Sequence, residues 1–494
     1  MKITGIGHAG LYIETKDCNI LCDPWKHENP QFFGSWYVYP DNTNLNWDMM
    51  IENTDYLYVS HGHKDHFDTI FLSELASRND NIEVILPDYF YPFLKEELIK
   101  IGFNYFAVGE LKHGDTTMVT YPANTIDRER EDSSLVVDED FTFLNFNDST
   151  IELSHKKDIL KRFKTIEMAA GQFSGANWWP VCYENYSKKD LKKMCLEYRE
   201  RKFTRFIKLM DYLNVDKMVH TSGPPCFLDK KLVHLNWDSI FFDSWEVPEF
   251  DEIDNIYRLI PGDRFDYNNV TDRKVRPFSK REFINSKSYE SDDTISDEKW
   301  LESKEKFLDW MTNIVTNSSW LKKYISHKIY LSIDDYQVFH LDFKKTSVTV
   351  HDKLDYRGNY YLIKIPSKIF YELVMEEYTD WEEAFFTLKL RFVRKPDRYN
   401  PWILSFFRNL DVKKLDKIKE NKKSNQILEE KIQVENYKID KYCPHQQYDL
   451  SHHSKVDLEK CTIQCLGHGW TWDLKTGRGL NCGIDLKTEK IIGE

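Results

Sequence analysis

Residues 56–68 have the sequence YLYVSHGHKDHFD. Tyr, Leu and Val dominate the first four positions, which is typical of a β-strand. In the turn that follows, His61 and His63 can converge on one metal ion, while Asp65 and His66 can face a second. Imidazole nitrogens and a carboxylate are ligands that suit zinc, iron or manganese. The complete HxHxDH pattern after a strand therefore predicts a metal site at the end of that strand.

Short β-rich runs and helices surround this turn. A helix is predicted over Thr69–Arg78, directly after the histidine cluster. A long amphipathic helix is predicted over Asp190–Leu213, and it leads to a strand over Lys217–His220. Strands with helices between them predict a layered domain of both element types. We expect this first domain to end near Arg264.

The HxHxDH pattern resembles that of the metallo-β-lactamase fold, and the likeness extends beyond the motif. HAGLYIETKDCNILCDPW, residues 8–25, is similar to the first hairpin of that family, where Asp23 lies at a turn beside the site. The resemblance implies an αββα domain over residues 1–264 with Asp65 and Asp148 as catalytic residues. The metal ligands that it implies are His61, His63, Asp65, His66, Asp148 in the segment NFNDST, and His220 at the end of the last strand.

One histidine that the family normally has, between the cluster and Asp148, is missing here. The segment at that place, TYPANTIDREREDSS, residues 120–134, carries acidic side chains instead. A carboxylate ligand there would favour iron or manganese over zinc, because hard oxygen ligands suit those ions. The relative within the superfamily that has this feature is a diiron oxygenase. We expect Glu129 to be the ligand, ahead of Glu131, among the candidates Asp127, Glu129, Glu131 and Asp132.

Two pairs of Cys and His lie near the C-terminus. They are Cys443-Pro-His445 and Cys465-Leu-Gly-His468. This C-x-H … C-x-x-H order is the arrangement of a Rieske [2Fe–2S] centre, in which two thiolates hold one iron and two imidazoles hold the other. A zinc site could use the same four side chains. The proline within the first pair, the HGWTWDL segment and the TGRG turn are similar to Rieske loops, and they favour the cluster.

The predicted fold class is therefore α+β multidomain. An all-β Rieske domain is expected over residues 431–494, with His452 and His453 exposed in a small insertion. Residues 265–430 are expected to form a middle α+β domain with linker segments, including a helix over Trp381–Arg391. This helix–sheet–helix block resembles a sterol-carrier-like module. We interpret it as a domain that spaces the other two or packs against them.

The composition excludes several classes of protein. Hydrophobic residues make up 41% of the 494 residues and aromatic residues 15%, which excludes a disordered chain. Lys and Arg number 68 against 81 Asp and Glu, and the net charge of −13 argues against a nucleic-acid partner. No apolar run reaches the roughly 20 residues of a membrane span. The first residues indicate a strand and no signal peptide, so we expect a cytoplasmic protein.

A Rieske cluster beside an open metal site implies redox chemistry at that site. The irons of the cluster are fully ligated and serve electron transfer, whereas non-haem iron with open positions can activate O2. The pairing resembles the CMP-N-acetylneuraminate hydroxylase (monooxygenase) family, although there the Rieske domain precedes the other domain. The resemblance implies electrons from a separate NAD(P)H-dependent reductase through a ferredoxin or small cytochrome. No GxGxxG segment follows a strand here, which agrees with a separate reductase.

We therefore predict an oxidoreductase, a Rieske-coupled iron-dependent oxygenase with one or two non-haem irons. Its substrate would be a small metabolite, either similar to CMP-sialic acid or a biosynthetic amine or sugar. In GQFSGANWW, residues 171–179, small, amide and aromatic side chains suit a substrate pocket, and we expect Gln172, Asn177 and Trp178 to line it. The alternative is a binuclear metallohydrolase with a regulatory cluster, which would hold zinc or manganese and work without O2.

Overall fold

The computed structural model describes the chain except for residues 90–92, 124–131, 150, 152, 222, 272–274, 277, 335, 354–356, 422–429, 445–447 and 492–494. The predicted ligands Glu129 and His445 therefore lie outside the described residues, as do Asp127 and Glu131. Within the described part of the chain, no helix is long and apolar enough to cross a membrane.

Two β-sheets that face each other form the centre of the N-terminal domain. The strands are β1 (Lys2–Gly7), β2 (Gly10–Glu14), β3 (Asn19–Cys22), β4 (Tyr56–Tyr58), β5 (Glu83–Leu86), β6 (Tyr105–Val108), β7 (Glu110–His113), β8 (Thr116–Pro122), β9 (Ser133–Asp138), β10 (Thr142–Asn147), β11 (Met168–Gln172), β12 (Lys217–Thr221), β13 (Ile256–Arg258) and β14 (Arg264–Phe265). The first sheet has the order β14-β1-β2-β3-β4-β5-β6 and the second has the order β13-β12-β11-β10-β9-β8-β7. Side chains from the inner faces, such as Ile13 and Phe143, pack together between the sheets.

Helices cover the outer face of each sheet. They are α1 (Trp47–Asn53), α2 (Thr69–Arg78), α3 (Phe93–Ile101), α4 (Leu153–Phe163), α5 (Lys188–Leu213) and α6 (Lys280–Lys287), with short 3₁₀ helices at Val233–Asn236, Ser244–Glu246 and Pro248–Glu252. Residues of α1, α2 and α3 pack on the first sheet, and residues of α4 and α5 pack on the second. The predicted αββα arrangement is confirmed. Helix α2 begins where the sequence predicts, because the Asp68 carboxylate accepts hydrogen bonds from the backbone N–H groups of Ile70 and Phe71.

The parallel strands bring the predicted ligands to one edge of the domain. Strand β3 is parallel to β4 in the first sheet, and β10, β11 and β12 are parallel in the second. Asp23 follows β3, His61 follows β4, Asp148 follows β10, and Gln172 ends β11. Because the carboxyl ends of parallel strands share an edge, these residues meet at the crevice where α/β folds usually place a site.

The middle domain is a sheet covered by helices. Its elements are α7 (Asp297–Asn317), a 3₁₀ helix (Ser319–Lys323), β15 (Lys328–Ile333), β16 (Val338–Asp342), β17 (Ser347–His351), β18 (Tyr360–Ile365), α8 (Ser367–Met375), α9 (Glu382–Phe386), β19 (Arg391–Lys395), α10 (Pro401–Arg408) and α11 (Val412–Asn421), and the sheet order is β17-β16-β15-β18-β19. The helix predicted over Trp381–Arg391 is wrong after Phe386. Leu388 has a φ of 58°, in the left-handed region that ends helices. The following residues then pair with β18 as an edge strand.

The middle domain shares one apolar core with the N-terminal domain. The indole N–H of Trp36 donates a hydrogen bond to the carbonyl oxygen of Phe386 at 2.6 Å. The ring of Trp178 lies 5.4 Å from that of Phe385 and 5.1 Å from that of Phe386. Helix α9 is thereby fixed against the carboxyl edge of the N-terminal sheets.

The C-terminal domain consists of β20 (Lys431–Val434), β21 (Tyr437–Asp440), β22 (Ser454–Asp457), β23 (Thr462–Cys465), β24 (Thr471–Asp473) and β25 (Thr488–Lys490). The strands form sheets with the orders β20-β21-β25 and β22-β23-β24. The Lys208 ammonium on α5 donates to the carbonyl oxygen of Ser454 at 2.9 Å. On another side, the Arg398 guanidinium donates to the carbonyl oxygen of Gly479 at 3.0 Å. The C-terminal domain is thus held by both other domains.

Replacing Trp36 by Ala should destabilise the packing between the first two domains. The side chain is fully buried, and removal of a buried Trp costs about 3–5 kcal/mol. The expected result is a lower thermal unfolding midpoint and faster proteolysis between the domains. Ile70→Ala is the control, because that side chain is 64% exposed and its loss should change stability by less than about 0.5 kcal/mol. Equal unfolding midpoints for the two variants would show that Trp36 does not stabilise the contact between the domains.

Candidate metal centres and the cavity between them

His61, His66 and Asp148 form the first group of candidate ligands. One ligand atom from each of the three lies within 4.8 Å of the others. The Nε2 atom of His66 lies 3.7 Å from an Asp148 carboxylate oxygen, and Nε2 of His61 lies 3.1 Å from Nδ1 of His63. Two ligands that bind one ion at about 2.1 Å lie roughly 3–3.5 Å apart. The spacing of these side chains therefore fits a shared metal ion.

A second group joins Asp65 and His66 to His8. Nε2 of His8 lies 3.0 Å from an Asp65 carboxylate oxygen. His8 was not predicted as a ligand, although it opens the HAGLYIE segment. Its φ of 48° places it in the tight turn between β1 and β2. The signal that could have identified His8 is its position at the start of residues 8–25, the segment that is similar to the first hairpin of the metallo-β-lactamase family.

The donor chemistry of these groups fits a divalent cation. Nε2 of His66 is buried without a hydrogen-bond partner among the described residues, and it faces the carboxylates of Asp65 and Asp148. Burial lowers the pKa of His66, but those two carboxylates overcome it and raise that pKa to about 10. Against its own burial, neighbouring His66 and His8 hold the pKa of Asp65 below its usual range. The negative charge of Asp65 and Asp148 therefore favours a cation beside Nε2 of His66.

Asp23 orients the histidine cluster from behind. One of its carboxylate oxygens accepts a hydrogen bond from the backbone N–H of Ser60 at 2.7 Å. The other accepts from the Ser60 hydroxyl at 2.6 Å and from the Asn147 side-chain amide at 2.5 Å, and it lies 3.0 Å from Nδ1 of His66. A carboxylate at Nδ1 favours a proton there, so Nε2 is the nitrogen that His66 would offer to a metal ion.

The structure does not bring His220 into either group. Its Nε2 is buried and has no hydrogen-bond partner in the described part of the chain. Burial lowers the pKa of His220 to about 4, and its ring lies 5.0 Å from that of Phe173. His220 shares a small cavity of about 50 Å³ with His8. Its role as a ligand stays a prediction.

Asp132 is the acidic residue of the 120–134 segment that the structure places at the site. Its carboxylate is buried and lies 3.4 Å from Nδ1 of His61. The sequence alone favoured Glu129, whose position lies outside the described residues. Asp132 immediately precedes β9, whereas nothing in the sequence marked where that strand begins.

Glu382 on α9 of the middle domain also faces the cluster. Its carboxylate lies 3.6 Å from Nε2 of His63 and forms a two-pronged ion pair with the Arg408 guanidinium at 2.5 and 2.6 Å. Burial favours the neutral acid, but Arg408 and His63 hold the pKa of Glu382 below its usual range. No motif surrounds Glu382 in the sequence, so only the packing of the domains could reveal it.

Cys443, Cys465 and His468 form the third group, in the C-terminal domain. Sγ of Cys443 lies 3.2 Å from Nε2 of His468, and both cysteines are buried. Two thiolates and an imidazole fit a Rieske cluster, for which His445 remains the fourth predicted ligand. The insertion between the pairs differs from expectation at His453, which is buried beside Tyr212, whereas His452 is exposed as predicted.

One cavity of about 240 Å³ lies between the first group and the third. Asp65 and Asp148 line it on one side, and His468 lines it on the other. The residues that were predicted to line a substrate pocket, Gln172, Asn177 and Trp178, all line this cavity. Their contact with a substrate stays a prediction.

Three known domain families match parts of the chain. Residues 2–156 match the beta-lactamase superfamily domain, residues 304–423 the Rv3818-like, SCP2-like domain, and residues 409–483 the Rieske [2Fe-2S] domain. A putative Rieske 2Fe-2S iron-sulfur protein of Mycolicibacterium smegmatis (strain ATCC 700084 / mc(2)155) is 31% identical over 533 residues, which cover 99% of this chain and 100% of the relative. The chain belongs to the family of that Rieske protein. The predicted union of a metallo-β-lactamase-type domain with a Rieske domain is confirmed.

Other similarities cover parts of this family member. The cytidine monophosphate-N-acetylneuraminic acid hydroxylase of Asterias rubens is 29% identical over 92 residues, 19% of this chain and 14% of the relative. The crystal structure of CmlA, a diiron beta-hydroxylase from Streptomyces venezuelae, aligns with a TM-score of 0.35 and 16% identity over 53% of each chain.

Asp65→Asn and Cys465→Ser should separate the two centres of this Rieske family member. The first substitution removes a carboxylate shared by the His8 group and the cavity, so metal content outside the cluster should fall while acid-labile sulfide stays. The second removes a thiolate ligand, so sulfide and the Rieske electron paramagnetic resonance (EPR) signal should be lost while the other metal stays. Elemental analysis and EPR spectroscopy of the dithionite-reduced proteins check both. Loss of both centres in a folded variant would contradict their independence.

Glu382→Gln should loosen the first centre and the contact between domains. It removes the charge that faces His63 and leaves Arg408 without its carboxylate, a loss worth about 3 kcal/mol in a buried pair. We expect a lower melting temperature and faster metal loss to a chelator. Glu377→Gln is the matched control, because that carboxylate is 66% exposed where it pairs with Lys306 and should contribute less than about 1 kcal/mol. Identical behaviour of the two variants would exclude a role for Glu382 at the metal site.

Proposed function

We propose that this protein is an oxidoreductase, a Rieske-coupled oxygenase that oxidises a small molecule in the cavity between its two centres. The observation that carries the proposal is that Asp65, Asp148 and His468 line the same cavity of one chain. A hydrolase has no use for an electron carrier at the wall of its substrate site. The likeness of one segment to a CMP-sialic acid hydroxylase also supports an oxygenase.

The residues that would hold each group follow from the geometry and the motifs. When bound, the cluster supplies single electrons and non-haem iron supplies the centre at which O2 is reduced and one oxygen atom reaches the substrate. The cluster would be held by Cys443, His445, Cys465 and His468. One or two irons would be held by His61, His63, Asp65, His66 and Asp148, with His8 and Asp132 as candidates from the structure and Glu129 and His220 as candidates from the sequence.

Helix α5 connects the two centres. A Cβ atom on Gly469, next to His468, would lie 2.6 Å from the Arg201 guanidinium, so the Rieske loop rests directly on this helix. The Arg201 guanidinium in turn lies 4.6 Å from the centre of the Tyr198 ring. Tyr198 and Arg201 line the same cavity as Asp148, so α5 forms part of the wall between the Rieske loop and the candidate metal ligands.

The amide side chains of the cavity present hydrogen-bond donors. The Lys202 ammonium donates to Oε1 of Gln172 at 2.9 Å, and the backbone N–H of Trp179 donates to Oδ1 of Asn177 at 2.9 Å. Among the described residues neither amide NH₂ group has a hydrogen-bond partner, so both can donate to a ligand. Donors of this kind suit an oxygen-rich metabolite such as a sugar, and Trp178 beside them packs against α9.

The test combines metal analysis with oxygen consumption. The protein is purified anaerobically, and O2 uptake is measured with an NAD(P)H-dependent reductase and a ferredoxin as the electron source, against the uptake by the reductase and ferredoxin alone. We expect iron outside the cluster and O2 uptake that Cys465→Ser abolishes, since the cluster must feed the site. Asp65→Asn should also abolish uptake while the Rieske EPR signal stays.

A different set of results would favour the binuclear metallohydrolase. Zinc at the first centre, with cleavage of an ester, lactone or phosphodiester under argon, would overturn the oxygenase. O2 uptake that survives Cys465→Ser would overturn the coupling between the centres.

A further inference from the structure

Helix α5 presents three buried cations to the cavity. Arg201, Lys202 and Arg205 are 9%, 8% and 9% exposed, and all of them line the cavity. Arg201 and Arg205 are four residues apart and therefore lie on the same face of the helix. Long cationic side chains are rarely buried to this extent unless a counter-charge or a ligand meets them.

Arg201 and Arg205 have no carboxylate partner among the described residues. The guanidinium of Arg201 lies over the ring of Tyr198, and that of Arg205 lies 5.4 Å from the centre of the Tyr448 ring. Nη1 of Arg201 is buried and has no hydrogen-bond partner in the part of the chain that the structure describes. Leaving a buried charge without an ionic partner costs several kcal/mol, so an anion in the cavity would stabilise this arrangement.

The other arginines of the cavity are paired, and they serve as an internal comparison. The Arg394 guanidinium binds the Asp397 carboxylate at 2.6 Å, and Arg408 binds Glu382. The fold thus supplies carboxylates to other arginines of the same cavity, whereas the described residues supply none to Arg201 and Arg205. A planar guanidinium matches the two oxygens of a carboxylate or phosphate group.

We propose that Arg201 and Arg205 bind the carboxylate or phosphate group of the substrate, a small organic anion held between the metal ligands and the Rieske loop. That the bound anion is a substrate rests on the proposed function, whereas the anion site itself does not. The anionic group lies towards α5 and Gly469, and the remainder of the molecule extends past Gln172 and Asn177 towards Asp65 and Asp148. The guanidinium groups of Arg201 and Arg205 favour this orientation, because they provide charged donors at that end of the cavity.

The experiment measures binding without turnover. Holoprotein under argon and without reductant is titrated by calorimetry with benzoate, with inorganic phosphate and with neutral benzamide, all at constant ionic strength. Benzoate or phosphate should bind and benzamide should not. Arg201→Gln and Arg205→Gln should each weaken binding about tenfold or more, since a charge-assisted hydrogen bond contributes at least about 1.5 kcal/mol.

Two further variants control for charge and for shape. Lys193→Gln removes one positive charge from an exposed position of the same helix, where it pairs with Glu197 at 3.7 Å, and should leave binding unchanged. Arg201→Lys keeps the charge but loses the planar pair of donors, so it should restore only part of the affinity. Sulfide content and the Rieske EPR signal verify that each variant is folded. The bound anion should also perturb that EPR signal, because it lies beside the loop of His468.

Several results would overturn the anion site. These are no binding of either anion, equal binding of benzamide, unchanged affinity in Arg201→Gln, or an equal loss in Lys193→Gln. If Arg201→Gln instead shifts the reduction potential of the cluster and leaves anion binding intact, Arg201 serves the cluster and the proposal is wrong. Because binding is measured without O2, an anion-binding protein that consumes no O2 would count against the oxygenase alone.

Discussion

The buried carboxylate of Asp23 is the interaction on which the metal site depends. It binds Ser60 and His66, which follow β4 of the first sheet, and Asn147, which ends β10 of the second. One side chain thereby ties the carboxyl edges of both sheets together and fixes the tautomer of a candidate ligand. If this carboxylate were lost, the loops that carry His61 and Asp148 would no longer share a fixed position. The αββα scaffold places both loops at one edge of the domain, and Asp23 fixes their positions relative to each other.

The cavity exists only because three domains pack around it. The N-terminal domain supplies the candidate metal ligands and α5, the middle domain supplies α9 with Glu382, and the C-terminal domain supplies the loop of His468. The continuous core from Trp36 to Phe386 holds the first two domains in one position. The SCP2-like domain thereby contributes a carboxylate beside the candidate metal ligands. The same packing brings the Rieske domain and those candidate ligands to one cavity.

The sequence pattern correctly predicted those elements that depend on interactions between residues close together in the chain. Helix α2 covers Thr69–Arg78 as expected, because its capping aspartate and its apolar spacing are neighbours in sequence. The helix expected to reach Arg391 ends at Phe386 instead, since pairing with β18 outweighs helical propensity over the next residues. His453, expected at the surface, is buried because Tyr212 of α5 packs on it. In each wrong prediction, a contact with a distant part of the chain determines the local structure or the burial of the residue.

The sequence by itself predicted the two candidate centres. HxHxDH and the two Cys–His pairs have ligands close enough in the chain for their spacing alone to indicate a metal, and the order of strands located Asp148. Only the tertiary structure brought His8, Asp132 and Glu382 to the first centre and left Arg201 and Arg205 facing one cavity. Those residues come from segments up to hundreds of positions apart, where no spacing rule operates. Burial and charge pairing are properties of the packed chain, and they decide which polar side chains remain available to a ligand.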